Sequence, residues 1–330
     1  MKRFVTRRAV LAGLAASAAA SGLRPALAQT APYPSRPIKI IVPWTAGGGG
    51  DALVRAMTPS LARRLGQPLI VENRPGAIGT IGSVAAARSP ADGYTIVYGT
   101  ADSHSIAPHV LKTPPYDARK DFVAIAPIGF TPLAVVVHAS HPATTLAQLL
   151  QMAKDAKEPL SYGSWGQGSS GQIVVEALKQ KTKINLLHIP YNGTAPLIQA
   201  QLANQVNCSI APVLVADPYV QAGSLRILAI TARERLPGFA DVPLLKELGI
   251  EIDMGPWLGF LAPAGTPADI VDRLNAAITA TIAEAQVTEV MRKMAMVNDR
   301  MGPSAYQQFV NGEFERWGAY IRTAKISLDP

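Results

Sequence analysis

The sequence predicts an α/β protein of two lobes, each a mostly parallel sheet flanked by helices. Short β-branched runs alternate with segments whose apolar residues have helical spacing, and the connections between them are short. Such alternation favours right-handed crossovers and parallel strands covered by helices on both faces. It starts a second time after residue 133. With 330 residues, 48% of them hydrophobic, the chain is long enough for two such units.

The first series predicts three strands and two helices. Asp51 is placed to cap the first helix, which covers residues 51–65, and Gly66 is placed to end it. The second helix covers residues 79–87. The strands are predicted at residues 38–42, 69–72 and 94–98.

The second series predicts five strands and three helices. Its strands are predicted at residues 133–138, 160–162, 185–189, 206–210 and 225–231. Its helices are predicted at residues 146–156, 169–179 and 195–203. Beyond it, residues 257–261 form a strand, Pro267 opens a helix with Thr266 as its N-cap, and a last helix runs from residue 304 to about 324.

Two extended segments, residues 130–133 and 254–257, are predicted to cross between the lobes. We therefore expect lobe 1 to comprise residues 29–131 and 254–330, and lobe 2 to comprise residues 132–253. Two lobes with two connections favour a cleft whose walls can hinge.

The N-terminus is typical of an export signal. The pair Arg7-Arg8 precedes an Ala-rich apolar run, and Ala26-Leu27-Ala28 provides small residues where a signal peptidase cleaves. The run is too short and too rich in alanine to cross a bilayer. We expect residues 1–28 to be a twin-arginine signal peptide, cleaved after Ala28, and the mature protein to lie in the periplasm.

The formal charge of +8 does not indicate a nucleic-acid-binding protein. Five of the 31 basic residues lie in residues 1–28, which hold no acid, so the remaining 26 basic residues against 23 acids leave about +3. The single cysteine, Cys208, lies in an apolar segment and is expected to be a small core residue. The histidines lack metal-ligand spacing, and the acids show no glycosidase-like pairing.

Two glycine-rich loops are the strongest functional signal, because each joins a predicted strand to a predicted helix. Glycine lets a ligand approach the backbone, and the start of a helix offers N–H groups without partners, so such a loop can hold an anion. The first loop comprises Trp44, Thr45, Ala46, Gly47, Gly48, Gly49, Gly50 and Asp51. The second comprises Ser164, Trp165, Gly166, Gln167, Gly168, Ser169 and Ser170, whose hydroxyl groups add donors.

Three further segments follow predicted strands and are expected on the same rim, since open α/β sheets bind ligands beyond the carboxyl ends of their strands. They are Thr100, Ser103 and His104 after the third strand, Tyr191, Asn192, Gly193 and Thr194 in lobe 2, and Ala211 at the end of another strand.

Two alternatives remain open at this stage. The pattern Gly47-x-Gly49-x-x-Ala52 resembles a dinucleotide-binding fingerprint and would suit a secreted oxidoreductase. A secreted hydrolase would need Ser164 or Ser169 as a nucleophile. Export from the cytoplasm weighs against the first alternative, because the periplasm has no pool of soluble cofactor.

Many short motifs, in order along the mature chain, resemble the periplasmic substrate-binding receptors of tripartite tricarboxylate transporters, the Bug family. They are Tyr33-Pro34-Ser35-Arg36-Pro37, Val42-Pro43 with Gly47 to Asp51, Glu72-Asn73-Arg74-Pro75-Gly76, Asp92-Gly93-Tyr94, Tyr162-Gly163-Ser164, Pro190-Tyr191-Asn192-Gly193, and Trp257-x-Gly259 with Leu261 to Pro267.

The resemblance implies a periplasmic-binding-protein-like fold of type II and a binding protein without catalysis or cofactor. It also implies a monomer that captures a small organic carboxylate by hinge closure and delivers it to membrane permease subunits. This chain departs from the family's usual pattern at Trp44-Thr45-Ala46, at Gln172 and at Asn207. The departures lie on or beside the inferred cleft, so they bear on the size and charge of the ligand.

Overall fold

The computed structural model describes residues 32–232, 234–236, 238–252, 255–293, 296, 300–324 and 326. The predicted signal peptide and its cleavage site lie outside these residues. The strands of the described part are β1 (Ile38–Val42), β2 (Leu69–Asn73), β3 (Thr95–Thr100), β4 (Phe122–Phe130), β5 (Leu133–His138), β6 (Leu160–Ser164), β7 (Leu186–Pro190), β8 (Cys208–Pro212), β9 (Leu225–Ile230) and β10 (Trp257–Pro263).

Helices pack around these strands. They are α1 (Gly49–Leu65), α2 (Thr80–Ala87), α3 (Ala107–Val110), α4 (Leu146–Asp155), α5 (Ser170–Thr182), α6 (Thr194–Leu202), α7 (Val213–Gln221), α8 (Ala268–Ile282), α9 (Ala285–Lys293) and α10 (Pro303–Ala324). A π-helical turn over Asp102–Ile106 lies between β3 and α3. None of the described helices combines the length and apolar character that a membrane span requires.

The strands form two five-stranded sheets. The first has the order β2-β1-β3-β10-β4, and only β10 runs against its neighbours. The second has the order β7-β6-β8-β5-β9, and only β5 runs against its neighbours. The prediction of two mostly parallel sheets is confirmed. Here lobe 1 and lobe 2 denote the parts built on the first and the second sheet.

Two predicted helix caps are wrong. Gly48, in an extended conformation, is the N-cap of α1, so Asp51 lies inside the first turn. The glycines at 49 and 50 accept helical geometry and extend the helix by two residues. Pro267 is the N-cap of α8, whereas the Thr266 hydroxyl donates to the carbonyl of Pro263. Strand β4 and helices α3, α7 and α9 were not predicted.

The described parts of the two crossings lie side by side. The Thr131 N–H donates to the carbonyl of Pro256 at 3.0 Å. A Cβ on Gly255 would lie 2.5 Å from the Thr131 carbonyl oxygen, so only glycine permits this approach. The preceding residue 254, where the second crossing was predicted to begin, lies outside the described residues.

Cys208 is a core residue, as predicted. It begins β8, it is 3% exposed, and burial raises the pKa of its thiol to about 12. The thiol is therefore protonated and shielded at neutral pH.

Candidate ligand-binding site

All the predicted segments follow, or end, parallel strands of one of the two sheets. The first loop follows β1 and the turn containing Thr100 and Ser103 follows β3, and these strands are parallel neighbours. In lobe 2, β6 lies between β7 and β8 and is parallel to both. The carboxyl ends of parallel neighbours meet at one edge, so each lobe gathers its candidate segments on one rim.

Asp51 organises the first loop. Its carboxylate accepts a hydrogen bond from the Gly47 N–H at 2.9 Å and from the Asn73 side chain at 2.9 Å. The Arg55 Nε donates to both of its oxygens at 3.0 Å. Burial of Asp51 opposes its ionisation, but the hydrogen bonds from Arg55, Gly47 and Asn73 outweigh burial and lower its pKa. Asp51 is therefore ionised, and its hydrogen bond from Gly47 holds the loop against the start of helix α1.

The second loop is built in the same way with a neutral acceptor. The Gln172 side chain accepts from the Gly168 N–H at 2.6 Å, four positions earlier, as Asp51 does for Gly47. Ser169 is the N-cap of α5, because its hydroxyl oxygen accepts from the Gln172 N–H. The same hydroxyl donates to the Gly166 carbonyl at 2.6 Å. Several donors expected to face a ligand therefore have partners inside the loop.

Ser164 pairs with a histidine that the sequence analysis did not single out. The Ser164 Oγ lies 2.7 Å from the Nε2 of His188, on the neighbouring strand β7. Burial lowers the pKa of His188 to about 4, so the ring is neutral near pH 7. Ser164 itself is fully buried. The pair ties the end of β6 to β7.

The turn after β3 points its predicted site residues inward. Ser103 exchanges hydrogen bonds with Thr100 and lies 2.8 Å from the Nδ1 of His104. His104 is 0% exposed, packs against the rings of Phe122 and Trp257, and its Nε2 has no hydrogen-bond partner. Burial lowers its pKa to about 3. His104 is therefore a neutral core residue in this conformation.

Asp102, in the same turn, connects the two rims. Its Oδ1 accepts from the backbone N–H of Ser170 at 2.7 Å, and its Oδ2 accepts from the Trp165 indole N–H at 3.3 Å. On the lobe 1 side, Gly79 lies between the turn and the first loop. A Cβ there would lie 3.1 Å from the Cβ of Ser103 and 3.5 Å from the Trp44 ring.

The remaining lobe 2 segments lie beside the second loop. The Tyr191 N–H donates to the Ser164 carbonyl, and the Gly193 N–H donates to the Trp165 carbonyl. Gly193 has φ of 106° and is the N-cap of α6, whose first residue is Thr194. Ala211 is fully buried inside β8.

Exposure separates the predicted site residues into three groups. Exposed residues are Thr45, Ala46, Gly47, Gly49, Gln167 and Asn192. Half-buried residues are Trp44, Gly48, Gly50, Trp165, Gly166, Tyr191, Gly193 and Thr194. Buried residues are Asp51, Thr100, Ser103, His104, Ser164, Gly168, Ser169, Ser170 and Ala211. The first two groups are open to a ligand in this conformation.

The described residues give no support for a metal centre. They contain no group of three or more His, Cys, Asp or Glu side chains arranged to hold an ion.

Comparison with known proteins agrees with the two-lobed architecture. The sequence profile described as the tripartite tricarboxylate transporter family receptor, TctC, matches residues 53–326. The chain belongs to this family. It is 30% identical to the protein BugT of Bordetella pertussis over 298 residues, which are 90% of this chain and 91% of BugT.

Two solved structures of similar sequence contain carboxylates. The structure of Rpa4515 of R. palustris with adipate superimposes with a TM-score of 0.84 at 31% identity, covering 89% of this chain and 99% of that one. MatC of Rhodopseudomonas palustris with bound malate gives a TM-score of 0.80 at 29% identity, covering 88% and 100%. This TctC-family chain thus has the two-lobed α/β fold of periplasmic binding proteins, in a family of substrate-binding receptors.

Proposed function

We propose that this TctC-family receptor works in the periplasm, where it captures a small organic carboxylate between its lobes and delivers it to a tripartite tricarboxylate-type permease. The observation that carries the proposal is the arrangement of the two glycine loops. Each starts a helix at the carboxyl end of a parallel strand, and Asp102 joins the two rims directly. The adipate and the malate held by the two similar proteins support an acid as the ligand.

The first loop supplies the donors that remain open to a ligand. Gly49 and Gly50 are the first residues of α1, and the first N–H groups of a helix have no partner within it. Gly49 is exposed and Gly50 is half-buried, and both lie beside Gly47 and Gly48 in the positive end of the helix dipole. A carboxylate can be bound there by backbone groups alone. The half-buried rings of Trp44 and Trp165 supply apolar walls for the rest of the ligand.

Closure provides the affinity in this proposal. The paired crossings at Thr131 and Pro256 allow the lobes to rotate about their junction. A ligand that contacts both rims gains contacts in the closed form that the open form lacks. The shift toward closure is limited by that difference in affinity.

A thermal-shift screen of the mature protein, residues 29–330, tests the proposal. The screen contains aliphatic mono- and dicarboxylates, including adipate and malate, and aromatic carboxylates such as benzoate. A ligand at a hundred times its Kd raises the free energy of unfolding by about 2.7 kcal/mol. The melting temperature rises as a result. Uncharged amides of the same acids serve as controls and should give no shift.

Two results would contradict the proposal. Absence of stabilisation by every carboxylate would remove capture as the function. A near-UV or visible cofactor spectrum in the purified protein would instead favour the oxidoreductase alternative.

The binding assay also tests the role of Gly48. A side chain there would lie 3.3 Å from the Thr45 carbonyl oxygen and would occupy the mouth of the first loop. Gly48→Val should therefore abolish binding while the protein stays folded. Gly312→Val, on a helix with open space around it, is the matched control.

A further inference from the structure

Asp102 places a carboxylate of the chain itself on the start of helix α5. It is the first residue of the turn after β3 in lobe 1, and both of its partners, Ser170 and Trp165, belong to lobe 2. Its side chain is nearly out of solvent, with the residue 5% exposed. Among the described residues, no Lys, Arg or His is an ion-pair partner of Asp102. The N–H groups of lobe 2 are therefore the groups that stabilise its charge, although burial outweighs them and raises the pKa of Asp102.

Asp102 takes a donor that no group of the second loop uses. The Gly168 N–H is bound by Gln172, and the Ser169 N–H donates to the Gly166 carbonyl. The Ser170 N–H instead points across to lobe 1 and meets Asp102 at 2.7 Å. Because a helix start attracts anions, this position suits an external carboxylate as well as an internal one. The two cannot occupy it together.

We propose that Asp102 is a tethered competitor of the ligand: its carboxylate closes the ligand-free protein by binding the Ser170 N–H, and an incoming carboxylate must displace it. This inference rests on the proposed function and deepens it. Asp102 lowers the apparent affinity for every ligand, because the free energy of ligand binding must offset the free energy of the internal contact. It also selects among acids, since a weak or badly oriented carboxylate cannot displace a tethered one.

Asp102→Ala, Asp102→Asn and Ser170→Pro separate the parts of this contact. Alanine removes the acceptor, whereas asparagine keeps an oxygen for the Ser170 N–H but loses the charge. Proline removes the donor N–H together with the buried Ser170 hydroxyl, and the helix start should accept it, because the first position of a helix tolerates proline and Ser169 already has extended geometry, with φ −72° and ψ 156°. Thermal unfolding verifies that each variant is folded.

The first measurement needs no ligand. Small-angle X-ray scattering of the ligand-free protein should give a larger radius of gyration for Asp102→Ala and for Ser170→Pro than for the wild type. Asp102→Asn should give an intermediate value. If the wild type and Asp102→Ala have the same radius of gyration, the proposed closure is wrong.

The second measurement is calorimetric titration with adipate and with malate. Asp102→Ala should bind about 5- to 30-fold more tightly than the wild type, which is the range of a carboxylate at a partly buried helix start. Ser170→Pro, which lacks the donor for either carboxylate, should gain nothing. Equal or weaker binding by Asp102→Ala would overturn the competition, and weaker binding would make Asp102 a ligand contact. If no form binds either acid, the proposed ligand class fails, and the scattering result decides the internal contact separately.

Discussion

Replacement of Asp51 by alanine tests whether the first loop is held in shape by its own helix. The carboxylate accepts four hydrogen bonds, from the Gly47 N–H, the Asn73 side chain and, twice, the Arg55 Nε. The change removes all four. It leaves the loop backbone without its acceptor, so both the stability of the protein and its affinity for a carboxylate should fall.

The magnitude follows from the exposure of the three donors. A hydrogen bond to a charged group contributes about 1.5–3 kcal/mol to stability. A sum over all four bonds of Asp51 would overestimate the loss of stability, because most of the donors find other partners. The exposed Gly47 N–H and the Arg55 side chain, which is 50% exposed, regain water in the variant. The half-buried Asn73 keeps the Trp44 carbonyl as a second acceptor. We expect a loss of about 2 kcal/mol, or about 4 °C in melting temperature.

Calorimetry of unfolding and titration with the best carboxylate measure the two effects. Affinity should fall by about tenfold or more, because a loop that must be ordered on binding loses preorganisation. Asp155→Ala is the matched control: it removes a carboxylate that accepts from an exposed side chain, Gln151, and should change stability by less than about 0.5 kcal/mol. A variant at Asp51 with wild-type melting temperature and wild-type affinity would refute the reasoning.

Two further predictions concern stability. Burial holds the pKa of His188 at about 4, below its ordinary value near 6.5, so the unfolded chain takes up the proton first and stability declines as the pH falls through that interval. Melting temperatures measured between pH 4 and pH 8 should show a shallower decline for His188→Gln; an identical slope would contradict the assignment. A Cβ on Gly259 would lie 1.8 Å from the Tyr306 hydroxyl oxygen, so Gly259→Ala should destabilise the protein by about 1–3 kcal/mol in denaturant unfolding. Gly312→Ala, with open space around it, should be neutral or slightly stabilising, and equal effects in the two variants would show that crowding is not the cause.

The parts of the fold that depend on residues close together in the sequence could be predicted. Strand β1 has the predicted bounds, because a β-branched run between Pro37 and Pro43 leaves little choice. Gly66 ends α1 in a left-handed conformation, as a glycine after the last apolar position indicates. The cap of α1 was predicted wrongly at Asp51, because Asp at a helix start can serve either as a cap or as an acceptor one turn further on.

The parts of the site that depend on distant residues could not be predicted. Asp102 meets Ser170 across 68 positions in the chain, and no periodicity or spacing relates the two. His188 meets Ser164 because β6 and β7 are neighbours in register, which requires the strand order of the sheet. Gln172 could be recognised as unusual for the family, but its role as the acceptor for Gly168 depends on the geometry of the loop.

The burial of Cys208 gives this chain a convenient property for measuring its own movements. The lone native thiol is shielded and protonated at neutral pH, so it should not react with a maleimide dye while the protein is folded. Cysteines introduced on the surface, one on each lobe, could then carry a donor and an acceptor fluorophore without removal of the native residue. Energy transfer between them would follow opening and closing in single molecules, in an otherwise unaltered chain.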